Sequence, residues 1–299
     1  MADNIGRMGA SAEAVDLNRA AAVCEILEQA AQANFDTPAR SGSVVDLGGE
    51  GQLVISGDLH DQREHFDRII RLAQLGESEN NHVVLQEIIH GERLINGMDL
   101  SYRLITRAAE LKVQRPAQVH VILSNHELAQ SDGDGIMKEG VSVLETFDRG
   151  IEYVFGEECD AVAAAIRTFV RSMPLAVRCA NGILCAHSLP APRKTSIFDP
   201  AVLDRRMTDA DYANPDGSAY LMVWGRGLTQ KSADELAAKW GVKQFVLGHQ
   251  HADMGWDEIG ETILILNSDH ARGVALPIDL AKAYTHDELV ELMLPLAAL

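Results

Sequence analysis

The stretch Leu53-Val54-Ile55-Ser56-Gly57-Asp58-Leu59-His60 decides the fold, because an apolar run ends there in two metal-binding side chains. Asp58 and His60 alternate in an extended segment, so both side chains point the same way at the end of a predicted strand. Three further apolar runs end in the same manner. They lead into Ser124-Asn125-His126-Glu127, Ala186-His187-Ser188 and Gly248-His249-Gln250-His251. Four strand ends of this kind predict an α/β protein with one shared site.

The candidate ligand atoms at these strand ends are carboxylate oxygens, amide oxygens and imidazole nitrogens. Mixed oxygen and nitrogen sets suit zinc, iron or manganese, and they do not suit a site built from sulfur alone. Each string has little meaning by itself, whereas four of them in one chain indicate a common site. We therefore expect a centre with two metal ions that hydrolyses a phosphate ester.

The composition limits the classes of function that fit. The 299 residues carry a formal net charge of −18, and 46% of them are hydrophobic, which fits a globular chain with a large core. Because proteins bind phosphate backbones through Lys and Arg, this negative charge argues against a nucleic-acid-binding protein. A chain this acidic that handles phosphate needs local positive charge, and bound metal ions would supply it.

The cysteines and the N-terminal segment bear on location. The four cysteines form no C-x-x-C pair, so we expect them to be small core residues in a reducing compartment. The N-terminus lacks a basic segment followed by an apolar one, so no signal peptide is expected. No apolar run approaches the roughly 20 residues of a membrane span. The sequence thus predicts a cytoplasmic protein.

Hydrophobic periodicity predicts helices and strands that alternate along the chain. The predicted helices are Ser11–Asn34, with Ser11 or Asp16 as its cap, His65–Leu75, part of Leu94–Val113, most of 128–175, Ser232–Trp240 and His286–Leu294. The predicted single strands are His82–Leu85, Val119–Leu123, Gln244–Leu247, Ile263–Leu266 and Val274–Leu276. Two hairpins are expected, Val44–Leu47 with Gln52–Ser56, and Leu175–Arg178 with Ile183–Ala186 around Asn181-Gly182. Residues 190–218 are predicted to form a long loop with short helices.

Taken together, the strings resemble the calcineurin-like metallophosphoesterase superfamily, and most closely its phosphoprotein phosphatase branch. The family's G-D-x-H-G is similar to Gly57–Asp61, its G-N-H-E to Ser124–Glu127, its hairpin and middle histidine to Pro174–Ser188, and its G-H-x-H to Gly248–His251. The resemblance implies a four-layer α/β/β/α sandwich. Residues 1–43 would be an N-terminal helical extension and residues 44–299 the metallophosphoesterase domain.

One family segment, G-D-x-x-D-R-G, is matched only in part, by residues 83–91. Glu87 stands where the family has the Asp that bridges the two metals, and its side chain is one methylene longer. His90 stands at the second Asp, which orients the catalytic His, and Gly91 stands at the Arg that clamps the phosphate. With the second Asp missing, Glu127 or Asp134 is expected to orient that His.

The resemblance also implies a set of site residues. Asp58, His60, Glu87 and His251 would hold one metal ion, and Glu87, Asn125, His187 and His249 would hold the other, the ions being Mn, Fe or Zn. His126 would be the general acid that protonates the leaving alkoxide, and Asp58 is a second residue on which catalysis is expected to depend. Arg226 and Arg93 are the candidates for binding the phosphate.

The implied activity is hydrolysis of a phosphate ester by a hydroxide held between two metal ions. A Ser/Thr protein phosphatase is the first choice, because the order of the motifs is most similar to that branch. Two alternatives remain open, a dinucleotide polyphosphate or small-molecule phosphoesterase, and a catalytically silent relative that serves as a binding or scaffold protein. The expected partner is a phosphorylated protein or small phosphoester, with no nucleic acid and no membrane.

Overall fold

Strands that are apolar on both faces form the centre of the molecule. The structure, a computed structural model, describes residues 15–138 and 140–299. The strands in these ranges are Arg40–Ser41 (β1), Val44–Leu47 (β2), Gln52–Asp58 (β3), His82–Gln86 (β4), Val119–Val121 (β5), Met137–Lys138 (β6), Val141–Ser142 (β7), Ala176–Cys179 (β8), Ile183–Ala186 (β9), Gln244–Leu247 (β10), Trp256–Ile259 (β11), Ile263–Leu266 (β12), Val274–Asp279 (β13) and Leu294–Pro295 (β14).

These strands build two mixed sheets and one small hairpin. The first sheet has seven strands in the order β1-β2-β8-β9-β10-β12-β11, and the second has five in the order β14-β13-β3-β4-β5. Strands β3, β4 and β5 run parallel to one another, as do β9, β10 and β12. Strands β6 and β7 pair only with each other. Parallel strands have their carboxyl ends at one edge of a sheet, which is where ligands bind in open α/β sheets.

The two sheets pack face to face, and alternate residues of each strand fill the space between them. In β4, Val84 belongs to the cluster between the sheets, whereas Val83 and Leu85 belong to the cluster under the helices. In β12, Leu264 and Leu266 likewise face the other sheet. This period of two is the pleat of a strand that is buried on both sides.

Helices cover the outer faces of the sheets. They are Ala20–Phe35 (α1), Arg63–Ala73 (α2), Tyr102–Gln114 (α3), Asn125–Asp132 (α4), Val143–Phe155 (α5), Cys159–Ser172 (α6), Asp209–Tyr212 (α7), Ser218–Trp224 (α8), Gln230–Trp240 (α9) and His286–Glu291 (α10). Helices α2 and α3 pack on the five-stranded sheet. Helix α9 lies by the seven-stranded sheet, where the rings of Trp240 and Phe245 meet edge to face. The four-layer α/β/β/α sandwich is thereby confirmed.

The predicted N-terminal extension packs into this body. Helix α1 lies against α3 and α6, with Val23 and Leu27 fully buried. Asn34 at its C-terminal end donates a hydrogen bond to Ser172 Oγ at 2.9 Å. The part of the predicted helix before residue 15 lies outside the described residues. Asp16 does not cap the helix, because its Oδ1 accepts from the backbone N–H of Asn18 in a turn before the helix begins.

The predicted hairpin between 44–47 and 52–56 is wrong. Strand β2 pairs in parallel with β8 in the seven-stranded sheet, whereas β3 pairs with β4 and β13 in the other sheet. The Gly48–Gly51 segment therefore passes between the sheets instead of turning a hairpin. Gly51 has φ +86° and a Cβ there would lie 1.9 Å from the Asn80 carbonyl oxygen, so this crossing requires glycine.

Other predicted elements are confirmed to within a few residues. The hairpin of β8 and β9 turns at Asn181-Gly182 as expected, and α9 ends at Gly241, whose φ is +67°. Besides the two-residue strands β1, β6, β7 and β14, two elements were missed. Helix α8 was missed because Pro- and Gly-rich sequence precedes it, and β11 was missed because it is a half-exposed edge strand of polar composition. Within the described ranges, no helix combines the length and apolar character that a bilayer crossing needs.

The two sheets approach each other closely at Gly57, next to Asp58. A Cβ on Gly57 would lie 2.1 Å from the Leu266 carbonyl oxygen. Asp58 also forms a parallel bridge with Asn267, and its carbonyl accepts from the N–H of Ser268 at 2.9 Å. The end of β3 is thus fixed to the segment after β12, and the carboxylate of Asp58 is placed between the sheets.

Replacing Gly57 with alanine should therefore separate the sheets or distort β3. We expect Gly57→Ala to lower the free energy of unfolding by about 3 kcal/mol, because the methyl group meets backbone atoms that cannot rotate away. Chemical denaturation measures this change. Gly76→Ala is the matched control, since a Cβ there meets no atom within 4 Å. Equal stabilities of the two variants would contradict this description of the close approach.

Candidate metal centre

The site lies where the carboxyl ends of parallel strands from both sheets meet. Strands β3, β4 and β5 of one sheet lead into Asp58, Glu87 and Asn125. Strands β9 and β10 of the other lead into His187 and His249. The structure therefore brings together residues that are up to 191 positions apart in the chain.

The backbone at these strand ends adopts an uncommon conformation. Five residues there have positive φ although none is glycine, with values of 41° for His60, 57° for Asp61, 46° for Glu87, 62° for His90 and 68° for His249. Residues with side chains enter this region at an energetic cost, and such conformations concentrate at functional sites. The turns they make aim the side chains of successive strand ends into one space.

Two carboxylates are buried side by side in this centre. Asp58 and Glu87 are 4% and 2% exposed, and both offer an oxygen within 4.8 Å of a ring nitrogen of His187. Burial raises the pKa of Asp58 to about 7, and burial together with the charge of Asp58 raises the pKa of Glu87. A cation between the carboxylates would offset both effects, because buried charge is tolerated when it is paired.

Glu87 faces imidazoles on two sides. Its Oε1 is 3.5 Å from His187 Nε2, whereas its Oε2 is 3.6 Å from His60 Nε2. Glu87 accordingly belongs to two groups of close ligand atoms, one with Asp58 and His187 and the other with His60 and His126. This is the arrangement that a carboxylate bridging two metal ions requires.

The surroundings of His187 fit a cation as well. Its Nδ1 is 3.0 Å from Gln86 Oε1, and its Nε2 is 2.7 Å from Asn125 Oδ1. Gln86 Nε2 donates to the Ser56 carbonyl, so its Oε1 must face the ring. A neutral imidazole has one N–H and cannot satisfy two oxygens, and burial lowers the pKa of His187, which disfavours the second proton. A metal ion held by His187 and Asn125 would remove this conflict.

His249 and His60 also present ring nitrogens suited to a metal. His249 Nε2 is buried and has no hydrogen-bond partner, while Nδ1 is 2.9 Å from Asn125 Oδ1. His60 Nδ1 donates to the Ile89 carbonyl at 3.0 Å, which leaves the lone pair on Nε2, the atom that faces Glu87. A backbone carbonyl on the second ring nitrogen is the usual way in which a metal-binding histidine is oriented.

Close backbone approach at two glycines sets the shape of the centre. A Cβ on Gly248 would lie 2.2 Å from Asp58 Oδ1, so glycine lets β10 pass next to the carboxylate. Both oxygens of Asp58 then accept from the N–H of His249 at 2.9 Å. Gly91 packs against the turn at His60 and Asp61, where a Cβ would lie 2.6 Å from Asp61 Cβ. The contact explains why glycine, and not arginine, stands at position 91.

Glu127 has a structural role that the sequence did not predict. Its buried carboxylate accepts from the N–H groups of Ile88 and Ile89 at 2.7 and 3.2 Å, and from the Ser124 hydroxyl. Burial raises its pKa to about 7. Glu127 thus ties the loop that follows Glu87 to the first turn of α4. The carboxylate of Glu127 is engaged by these hydrogen bonds, and Asp134 Oδ2 accepts a hydrogen bond from Asn214 Nδ2. The two residues predicted to replace the family's second Asp therefore make other hydrogen bonds.

The remaining predicted residues surround the same cleft. His126 lies next to the centre, with its ring centroid 4.9 Å from that of His60 and its Nδ1 2.9 Å from His90 Nδ1. Arg226 and Arg93 are exposed side chains of the cleft wall. The structure does not bring His251 into the buried cluster. Its side chain is 68% exposed on the cleft rim, where Nε2 is 3.0 Å from Asp253 Oδ1.

The cleft above the centre has a volume of about 710 Å³. Besides the predicted residues, Arg63, Asp269 and His270 line it. The sequence did not indicate Arg63, because this residue at the start of α2 belongs to no motif. Its guanidinium forms an ion pair with Asp61 at 3.0 Å. The ring of His270 lies 5.5 Å from that of His251. A cleft of this size admits a phosphate and the group that carries it.

Residues 52–253 match the model of the calcineurin-like phosphoesterase family. The match includes every predicted metal ligand from Asp58 to His251. The chain belongs to this family. It is a phosphoester hydrolase, and the donor set described above fits the divalent metals that such phosphoesterases use.

Solved structures of phosphatases share the fold of this calcineurin-like phosphoesterase. One is a protein serine/threonine phosphatase from Saccharomyces cerevisiae with similarity to human phosphatase PP5, at 15% identity and a TM-score of 0.61 over 87% of this chain and 82% of that one. Another is a cold-active protein-tyrosine phosphatase of a psychrophile, Shewanella sp., at 13% identity and a TM-score of 0.51 over 79% and 77%. No curated protein sequence is significantly similar to the chain.

The contacts of Glu127 predict how it affects the centre. Glu127→Ala leaves the N–H groups of Ile88 and Ile89 without their acceptor, so the loop that carries Glu87 should loosen. We expect the affinity for Mn²⁺ or Zn²⁺ to fall by about 10-fold or more, as for other residues that support a ligand. Calorimetric titration of metal into the stripped protein measures it.

Glu127→Gln is the matched control, because its amide oxygen still accepts from both N–H groups while its NH₂ donates to Ser124. This variant should keep most of the metal affinity. If Glu127→Ala bound metal as tightly as the unmodified chain, the role given to Glu127 would be wrong.

Proposed function

We propose that this chain hydrolyses phosphomonoesters with two metal ions that share Glu87 as a ligand. The observation that carries the proposal is the position of the Glu87 carboxylate, whose two oxygens face His60 on one side and His187 on the other. Asp58 lies in the same cluster. The longer side chain of Glu87, compared with aspartate, fits because its backbone turns with φ +46° directly after β4.

The proposed ligands divide into two sets. Asp58, His60 and Glu87 hold one ion, with His251 at the rim as a further ligand, and Glu87, Asn125, His187 and His249 hold the other. Bound Mn, Fe or Zn ions would neutralise the phosphate oxygens and lower the pKa of water so that hydrolysis proceeds near neutral pH. The carboxylates supply two negative charges for these cations, and the imidazoles add none.

The remaining groups of the cleft act on the substrate. Arg226 and Arg93 line the cleft and provide positive charge that an otherwise acidic chain needs in order to attract a phosphate. His126 stands at the edge of the centre, with its ring beside that of His60, and is the proposed general acid. It donates a proton to the leaving oxygen, which an alkoxide requires and a nitrophenolate does not.

A phosphoserine or phosphothreonine protein is the proposed substrate. The cleft is an open surface feature, so a phosphorylated side chain on a protein can enter it. The two solved structures described above are both protein phosphatases by name. Both support the fold, and the serine/threonine phosphatase supports this choice of substrate by analogy.

Activity measurements test the proposal. The Mn²⁺-supplemented protein should release phosphate from a phosphoserine peptide and from p-nitrophenyl phosphate. Asp58→Asn should remove both activities, because it takes a charge and a ligand from the centre. His126→Ala should lower turnover of the phosphoserine peptide by about 100-fold or more, since the serine alkoxide is a poor leaving group.

Asp216→Asn is the matched control, because Asp216 is an exposed partner of Lys194 on the surface. A dinucleotide polyphosphate is the competing substrate, and preferential cleavage of it would replace the phosphoprotein assignment. Unchanged rates in Asp58→Asn and His126→Ala would show that the activity does not arise at this centre.

A further inference from the structure

A row of four polar side chains leads from the cleft along one face of α4 to α5. His126 Nδ1 is 2.9 Å from His90 Nδ1, and His90 Nε2 is 2.9 Å from Gln130 Oε1. Gln130 Nε2 donates to Asp148 Oδ1 at 2.8 Å. His126 and Gln130 are four residues apart on α4, so both side chains lie on one face of that helix. His90 stands between them.

The donors and acceptors along this row follow from its far end. A carboxylate can only accept, so Gln130 must point its NH₂ at Asp148 and its carbonyl oxygen at His90. His90 Nε2 then carries the proton, and His90 Nδ1 carries the lone pair. Because Nδ1 of His90 faces Nδ1 of His126, the proton between these two atoms belongs to His126. Proton exchange with a substrate would then take place at Nε2, the other ring nitrogen of His126.

His90 is held firmly in the place that this role needs. Its side chain is buried and packs edge to face with Phe147, at 5.5 Å between ring centroids. Its backbone N–H donates to Ser101 Oγ at 3.0 Å, and its φ of 62° turns the ring toward α4. Burial lowers the pKa of His90 to about 3, so the ring is neutral and keeps one lone pair for His126.

We infer that His90 is a positioning residue, which Gln130 and Asp148 orient, and that it fixes the ring and the tautomer of His126. The inference rests on the proposed function only in that His126 is taken as the general acid. His126 acts as a general acid in its imidazolium form, with a proton on each ring nitrogen. The proton on Nε2 moves to the leaving oxygen, and the ring becomes neutral while its Nδ1 proton stays in the hydrogen bond to His90. The neutral imidazole of His90 accepts this hydrogen bond without adding a negative charge beside the anionic substrate.

Spectroscopy tests the tautomer independently of activity. In the Zn²⁺-loaded protein, long-range ¹H–¹⁵N spectra should show His126 with its proton on Nδ1, its signals being assigned by their loss in His126→Ala. His90→Leu and Gln130→Leu should both change this pattern. A proton on Nε2 of neutral His126, or the same Nδ1–H pattern in His90→Leu, would overturn the inference. These outcomes are readable even if the protein proves inactive.

Kinetics then test the consequence with two substrates that differ in leaving group. His90→Leu should lower kcat for phenyl phosphate by about 10-fold or more with little change in KM, and it should affect p-nitrophenyl phosphate much less. His90→Asn is the rescue variant, because its amide oxygen can accept from His126 in the place of Nδ1, and it should recover most of the loss.

Metal content measured on every variant separates this role from damage to the centre. Equal losses on the two substrates, a change confined to KM, or a failure of His90→Asn to exceed His90→Leu would overturn the inference. An inactive parent protein with the expected tautomers would instead contradict the proposed function while the positioning of His126 stands.

Discussion

The arrangement of the molecule depends on two carboxylates that are buried next to each other. Asp58 and Glu87 lie between the sheets with almost no exposure to solvent, and burial raises the pKa of both. In water each would be ionised, whereas in the folded protein a bound cation would favour the charged forms of both. His187 adds a ring between two oxygens that a neutral imidazole cannot satisfy together. The metal ions proposed on either side of Glu87 would stabilise both the buried carboxylates and the ring of His187.

The sandwich makes this arrangement possible because it joins the carboxyl ends of parallel strands from two sheets. Either sheet alone would supply only part of the donor set, since the oxygen ligands come from β3, β4 and β5 and two of the imidazoles follow β9 and β10. Gly57 and Gly248 bring the two sets within reach by allowing backbone to pass against backbone and against a carboxylate. Left-handed turns at His60, Glu87 and His249 complete the approach.

The sequence predicted the layers and most of the buried donor set, because apolar runs that end in ligands leave a strong pattern. The family resemblance placed Glu87 at the position of the bridging carboxylate, and that role stays a prediction. The sequence did not predict that β2 and β3 belong to different sheets, since both are buried on two faces and local pattern does not choose a partner. His251 shows the same limit. Its spacing from His249 suggested a shared geometry, but the chain turns outward after His249 and exposes it. Glu127, Gln86 and His90 act through contacts with distant residues, which a single sequence does not record.

The most direct measurement is an anomalous-diffraction crystal structure of the protein loaded with Mn²⁺ or Zn²⁺. The account predicts two anomalous peaks that both contact the carboxylate of Glu87, one on the side of His60 and the other on the side of His187 and Asn125. A single ion away from Glu87, or ions bound only at exposed residues such as His251 and Asp253, would contradict it.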